Sequence, residues 1–251
     1  MEALHVISYP KAGRTWLRVM LGDLGVDPVF SHDGSEYKHR HPLRNLDPDK
    51  SQYSGTPVLL MVRDPRDAVV SGYFQATRRE SIEAGSLSAF LRDDRYGIEK
   101  ICRFNVQWFA AGDRIGRFAI LSYEHMRAAP AEALGAVAGF AGIVLDARTV
   151  EAVAANRTFG RMQAAEASGE LAERYGEVLR PGDATDPESF KVRRGRVGGY
   201  RHYLSQADRS YCEQVLRGTD YWSRLGAAIA RWNVKRMGDV AEPAGRGAIA
   251  A

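Results

Sequence analysis

The sequence predicts one α/β domain in which a mostly parallel β-sheet is flanked by helices as a three-layer sandwich. Three observations predict it. Val58-Leu59-Leu60-Met61-Val62 is an uninterrupted apolar run of strand length, the pattern of a strand buried on both faces of a parallel sheet. A shorter apolar run, Leu4 to Ile7, passes through a glycine-containing turn into the apolar-periodic stretch Leu17 to Leu24, which reads as strand, turn and helix. Strand-like and helix-like stretches then alternate along the chain, as crossover connections over a parallel sheet require. A length of 251 residues with 45% apolar content suffices for one well-buried core. The domain is expected over 1–237, and 238–251, rich in Ala, Gly and Pro, is expected to be a mobile tail.

The balance of 35 Lys and Arg against 31 Asp and Glu gives a net charge of +4, which suits an anionic small ligand as well as nucleic acid. Cys102 and Cys212 stand in partly apolar, helix-like surroundings without metal or redox spacing, so packing in a reducing compartment is expected of them. The first loop follows the initial Met by about ten residues, short for a signal peptide, and no apolar run approaches the roughly 20 residues of a membrane span. The expectation is a cytoplasmic protein without a membrane partner.

In chain order, the first chemistry-bearing stretch is Tyr9 to Arg18. Gly13 lets the backbone approach a ligand, Lys11 adds a point charge, and the N–H groups opening the following helix favour an anion. The stretch reads as a phosphate cradle, but the lysine precedes the glycine, which is not Walker A spacing. Pro28 to Ser31 reads as a second strand that delivers His32 and Asp33 at its end, where α/β sheets place their chemistry. Residues 34–57 read as a long connection of the kind found over active sites. After Val62 comes Arg63-Asp64-Pro65-Arg66-Asp67, with Pro65 placed for a helix start and Asp64 or Asp67 for its first turn. A phosphate held bidentately by Arg63 could also reach the Ser71 hydroxyl.

Helical periodicity continues over Leu87 to Arg92 and Ile98 to Phe109, where Ile101, Phe104 and Trp108 mark a core stripe. Phe118 to Glu124 reads as the next strand and its exit. Pro130 opens an alanine-rich helix, Leu145 to Ala155 gives another, and Gln206 to Arg217 a later one. Between them, Phe190 to Arg201 packs five Lys or Arg among three glycines. Such a stretch serves as a solvated basic loop or as a flap over a multiply charged anion.

These anion-type elements, in this order, resemble the sulfotransferase family that uses 3′-phosphoadenosine 5′-phosphosulfate (PAPS). PKAGRTW at 10–16 is similar to that family's Pro-Lys-Ser-Gly-Thr-Thr-Trp loop, and RDPRDAVVS at 63–71 to its 3′-phosphate element. RRGRVGGYR at 193–201 resembles the Arg-Lys-Gly-x-x-Gly-Asp-Trp-Lys element, and SYEHM at 122–126 the segment beside the adenine. The resemblance runs from about residue 4 to 205 and implies a P-loop-NTPase-like fold. It implies that Lys11, Ala12, Gly13, Arg14 and Thr15 hold the 5′-phosphosulfate, that Trp16 and Tyr123 flank the adenine, and that Arg63, Ser71, Arg193, Arg194 and Gly195 bind the 3′-phosphate. Thr158 is a looser adenine contact. Ala12 and Arg14 stand where the family has serine and threonine, which removes a hydroxyl and adds a positive charge. The short dimerisation motif of the animal cytosolic branch has no match, so the oligomeric state stays open.

The implied reaction is an in-line displacement at sulfur by an acceptor hydroxyl or amine, with adenosine 3′,5′-bisphosphate (PAP) leaving. It needs a base, cationic stabilisation of the leaving oxygen and, in principle, no metal. Lys11 fits the bridging oxygen. The family places its base just after the second strand, where His32 stands; His41 and His39 in KHRHP compete for that role. A small-molecule acceptor is expected, shaped by 33–56, 74–100 and 163–189. A nucleotide kinase would need the missing Gly-Lys-Ser/Thr. A nucleic-acid binder would show aromatic and basic residues interleaved, which this chain does not.

Overall fold

The computed structural model describes residues 3–33 and 41–234. Among them, β1 (His5–Ser8), β2 (Val29–Ser31), β3 (Val58–Val62) and β4 (Phe118–Ser122) form one sheet in the order β2-β1-β3-β4. Every pairing is parallel, with His5 level with both Val29 and Val58, and Val58 level with Phe118. Successive strands are therefore joined by crossovers, and helices from those crossovers and from the chain after β4 cover the sheet.

The helices begin where local chemistry favours a start. α1 (Arg14–Asp23) follows Gly13, and α2 (Pro65–Arg78) opens on a proline, with the Arg66 N–H donating to the Asp64 carboxylate at 2.9 Å. α3 (Leu87–Arg92) is capped by Ser86, and α4 (Ile98–Ile115) follows Gly97. α5 (Tyr123–Ala128) leaves β4 directly with Ser122 as its cap, α6 (Pro130–Phe140) again opens on proline, and α7 (Ala147–Asn156) is capped by Asp146. α8 (Phe159–Ser168) and α9 (Glu170–Tyr175) precede an irregular stretch, and α10 (Gln206–Gly218) and α11 (Tyr221–Trp232) follow it.

The continuous apolar run of β3 divides between the two faces. Val58, Leu60 and Val62 pack with Trp108 and Phe104 of α4 and with Leu216 of α10, whereas Leu59 and Met61 pack with Leu17 and Leu21 of α1 and Leu134 of α6. Two cores sandwich the sheet, which gives the expected three layers in one α/β domain, and Trp108 is fully buried in the first. A third, smaller cluster joins Val19 of α1 to Met162, Leu171 and Leu179.

The elements the sequence delimits mostly recur, with instructive shifts. α1 starts at Arg14, three residues before its apolar stripe, because its first turn borders a cavity and buries little. α4 runs on to Ile115. α8, α9 and α11 lie where no helix is expected; in α11, Tyr221 and Ala228 are buried, and Leu225, Ile229 and Trp232 pack against the same core at helical spacing. The expected long connection is described from 41 onwards and contains two short 3-10 turns, Leu43–Asn45 and Ser51–Tyr53. The tail expected at 238–251 lies outside the described residues.

Candidate active site

The loops leaving the C-terminal ends of all four strands meet over a cavity of about 520 Å³, the place where open α/β sheets bind ligands and a volume suited to a nucleotide-sized molecule. From β1, Lys11 (φ 72°) and Gly13 (φ 93°) turn the chain through left-handed backbone. A Cβ at Gly13 would lie 2.5 Å from Cδ2 of Tyr123, so only glycine fits. No side chain caps α1 and no acidic residue stands in its first turn. The positive end of the helix therefore faces the cavity wall that Gly13, Arg14, Thr15 and Trp16 form, where an anion is favoured.

From β3, the Arg63 guanidinium lies 4.3 Å over the Tyr123 ring and donates at 3.2 Å to the carbonyls of Lys11 and Arg196. It thereby ties the first loop to the late basic loop. Asp67, in the first turn of α2, turns its carboxylate to the late loop, where it accepts the Gly198 and Tyr200 N–H groups at 2.7 and 2.8 Å. Ser71 and Gln75 continue the same helix face toward the cavity. Gln75 accepts a hydrogen bond from Lys11 Nζ at 3.1 Å.

The late loop has no regular structure until a 3-10 turn at Gly199–His202, and its shape is fixed from both ends. The buried Glu166 accepts the Lys191 and Val192 N–H groups at 2.6 and 2.7 Å and pairs with Arg79, which also donates to the carbonyls of Val178, Arg180 and Ser189. A Cβ at Gly195 (φ 57°) would overlap the Phe159 ring. Arg193 donates to Glu188 and to the Tyr203 hydroxyl and covers Phe74, while Arg194 pairs with the same Glu188. Arg63 Nε and Arg193 Nε are buried and have no hydrogen-bond partner among the described residues. Two cationic N–H donors left unpaired at one cavity require acceptor oxygens.

Trp16 and Tyr123 meet edge to face at 6.4 Å, and Arg127 lies within 6 Å of the Trp16 and Phe159 rings. Together these rings make an aromatic wall fit for a flat heterocycle. At the opposite side His32, just past β2, donates from Nδ1 to the Ser8 carbonyl at 2.7 Å. A carbonyl can only accept, so Nδ1 holds the ring proton and Nε2 is the acceptor, 2.7 Å from the Arg14 guanidinium. Burial, reinforced by the nearby Lys191, Arg79 and Arg193, holds the Lys11 ammonium well below the usual lysine range. Among the described residues, no group of three His, Cys, Asp or Glu is placed to hold a metal ion.

Of the residues singled out in the sequence, Lys11, Gly13 to Trp16, His32, Arg63, Ser71, Tyr123 and Arg193 to Gly195 line this one cavity. Ala12 is buried beneath it in the α1 core. Thr158 is exposed at the start of α8 and does not line it; its neighbour Phe159 does. His41 is exposed, away from the lining, and its carbonyl accepts from Lys100 Nζ. His39 lies outside the described residues. Asp67, Gln75, Glu80, Arg127 and Lys191 also face the cavity. Lys191 belongs to the basic loop already noted, but nothing local distinguishes the others.

Comparison with known proteins follows the same lines. The family model of the sulfotransferase domain matches residues 42–237. No curated protein sequence matches the chain. The crystal structure of mouse sulfotransferase SULT7A1 complexed with PAP is similar at 16% identity, covering 91% of this chain and 87% of that one with a TM-score of 0.65. Two structures of retinol dehydratase, one in complex with androsterone and inactive cofactor PAP and one with retinol and PAP, are similar at 15% identity. Each covers 86% of this chain and 80% of that one, with TM-scores of 0.61 and 0.62. At such identities the likeness is one of fold. The match to the family model spans most of the chain, which belongs to the sulfotransferase domain family.

Proposed function

We propose that the chain is a PAPS-dependent sulfotransferase acting on a hydroxyl of a small-molecule acceptor. One observation carries this reading: three cationic elements far apart in sequence converge on one cavity, where Arg63 Nε and Arg193 Nε are buried donors in need of acceptor oxygens. The 3′-phosphate answers both, with Ser71 and the backbone at Arg194 and Gly195 completing its cradle. The aromatic wall of Trp16, Tyr123 and Phe159 takes the adenine. The turn at Lys11 to Thr15 takes the 5′-phosphosulfate, a group with negative charge facing a helix start and a lysine.

PAPS supplies the sulfuryl group, and its transfer to the acceptor hydroxyl leaves PAP. Lys11, disfavoured as a cation by burial and by its cationic neighbours, is favoured in its charged form by an anion beside it and then stabilises the oxygen that bridges sulfur and the 5′-phosphate. His32, locked in the tautomer with Nε2 unprotonated, receives the acceptor proton there. Arg14 must yield that lone pair first, and the incoming sulfonate oxygens are a competing acceptor for its guanidinium.

Calorimetric titration tests the donor assignment: PAP is expected to bind at least about ten-fold more tightly than AMP or ATP, because neither competitor fills the Arg63 and Arg193 pocket. Equal affinities would overturn it. Lys11→Ala is expected to lose on the order of 100- to 1000-fold in transfer rate from labelled PAPS.

A further inference from the structure

The bond from Nδ1 to the Ser8 carbonyl orients the His32 ring, but where the ring sits depends on the backbone at the end of β2. Directly after His32, Asp33 is buried and takes left-handed backbone (φ 69°). Aspartate tolerates that region better than most side chains, yet such a conformation persists only where the surroundings determine it. Here a buried charge does so. Asp33 Oδ2 accepts from Lys50 Nζ at 2.7 Å, and the lysine and aspartate side chains are only 2% and 5% exposed. Lys50 also donates to the Asp47 carbonyl and lies 5.3 Å over the Trp108 ring.

The residue on the other side of His32 is held from the same segment. Tyr53, in the 3-10 turn that follows Lys50, is buried with its ring 5.1 Å from that of Trp108. Its hydroxyl is pushed up to about 12 by burial and then by the Asp33 charge, and it hydrogen-bonds with the Ser31 side chain. Ser31 and Asp33, the two neighbours of His32 in the chain, are thus both anchored by the segment 50–53. A buried ion pair is a weak source of stability, because desolvating both charges cancels most of their attraction, and apolar side chains of similar size often serve a fold as well. What this pair supplies is location, since it fixes a carboxylate one residue from the ring. Neither Lys50 nor Asp33 lines the cavity.

We propose that Lys50 and Asp33 are a positioning pair for His32: their ion pair fixes the turn at the end of β2 and so holds Nε2 where the acceptor hydroxyl arrives. This rests on the sulfuryl-transfer reading with His32 as the base, and it adds the residues that place that base. The pair acts through His32 and does not touch the substrate. A displacement of about 1 Å at a reacting group costs on the order of 100-fold in rate, so loss of the pair lowers turnover and spares donor binding.

Lys50→Met alone leaves a buried carboxylate uncompensated and endangers the fold, so the test uses Asp33→Asn/Lys50→Met, which removes both charges and keeps both shapes. PAP affinity is expected to stay within about two-fold of the wild type. On the PAP-saturated enzyme the ring nitrogens of His32, assigned by their loss in His32→Ala, are read by heteronuclear NMR. The wild type is expected to show one tautomer, protonated at Nδ1, and the double variant an average of two. Transfer from labelled PAPS to 2-naphthol, both saturating, is expected to fall about 10- to 100-fold in the double variant. In a His32→Ala background the same two changes are expected to alter the remaining rate by less than about two-fold, because no base is left to place. A wild-type His32 spectrum in the double variant, an undiminished rate, or an equal loss without His32 overturns the proposal alone. The spectrum needs no acceptor, so it decides where 2-naphthol is not turned over. Full transfer by His32→Ala overturns the base assignment, and failure of PAP to bind the wild type overturns the donor reading, each taking the proposal with it.

Discussion

Gly13 is the residue at which the first loop tolerates least. Its φ of 93° is left-handed, and an added Cβ would meet Tyr123 at 2.5 and 3.0 Å and Met126 at 3.2 Å. The Tyr123 ring cannot retreat, because it is buried between Arg63 and Trp16. Gly25 has a comparable φ of 72° with nothing within 4 Å of the added carbon. Gly25→Ala therefore meets only the backbone cost, about 1–2 kcal/mol, and is expected to keep PAP affinity. Gly13→Ala adds overpacking of about 1–3 kcal/mol and moves the Tyr123 wall, so PAP affinity is expected to fall by at least about ten-fold. Urea denaturation and calorimetry on the two variants separate the effects; equal losses of PAP affinity would show that backbone strain, not the Tyr123 contact, decides.

At the scale of elements, α2 organises the cleft, presenting Asp67, Ser71 and Gln75 along one face at successive turns. Asp67→Asn keeps the shape but replaces one accepting oxygen with a donor, leaving the Gly198 or the Tyr200 N–H unpaired at a cost of about 1–3 kcal/mol. The late loop should then loosen. Tryptic cleavage after Arg194 or Arg196 is expected to accelerate and PAP affinity to fall about ten-fold with helix content unchanged; an unaltered cleavage rate would rule out the tether. This contact also marks what the sequence could disclose. Pro65 and Asp64 announce the start of α2 because capping is local. Asp67 looks like a second charge for the same helix turn, yet its partner stands 131 residues away. Phe159, Glu166 and Arg79 were hidden for the same reason, since each acts through a loop whose path is set by long-range contacts. By contrast, Val58 to Val62 and the Gly13 turn were legible, being continuous in sequence, and so was His32, which follows directly from the end of β2.

Across the whole molecule, buried ionisable groups set opposing slopes of stability with pH. Burial lowers the ammonium of Lys100, 1% exposed, to about 8, and that of Lys191 likewise, while it pushes the Cys102 and Cys212 thiols up to about 12. Each lysine gives up its proton in the fold near pH 8 but keeps it in the unfolded chain until about 10.4. Within that window the unfolded state binds more protons, so stability rises with pH. The thiols act in the other sense: unfolded, they ionise near about 8.5, whereas folded they stay protonated, so stability falls above that pH. With the Lys11 ammonium also held down, the lysines outweigh the thiols, so the wild-type curve should rise gently up to pH about 10 and fall beyond it, where the raised hydroxyl of Tyr53 adds to the loss. The lysine contribution is isolated by comparison with Lys100→Met. Lys100 Nζ donates to the carbonyls of His41 and Arg95, so the variant has its own offset, but that offset does not titrate. Urea denaturation between pH 8 and 10.5 is expected to show the wild type gaining on the variant by up to about 3 kcal/mol. A difference that does not change with pH would mean that Lys100 holds its charge in the fold.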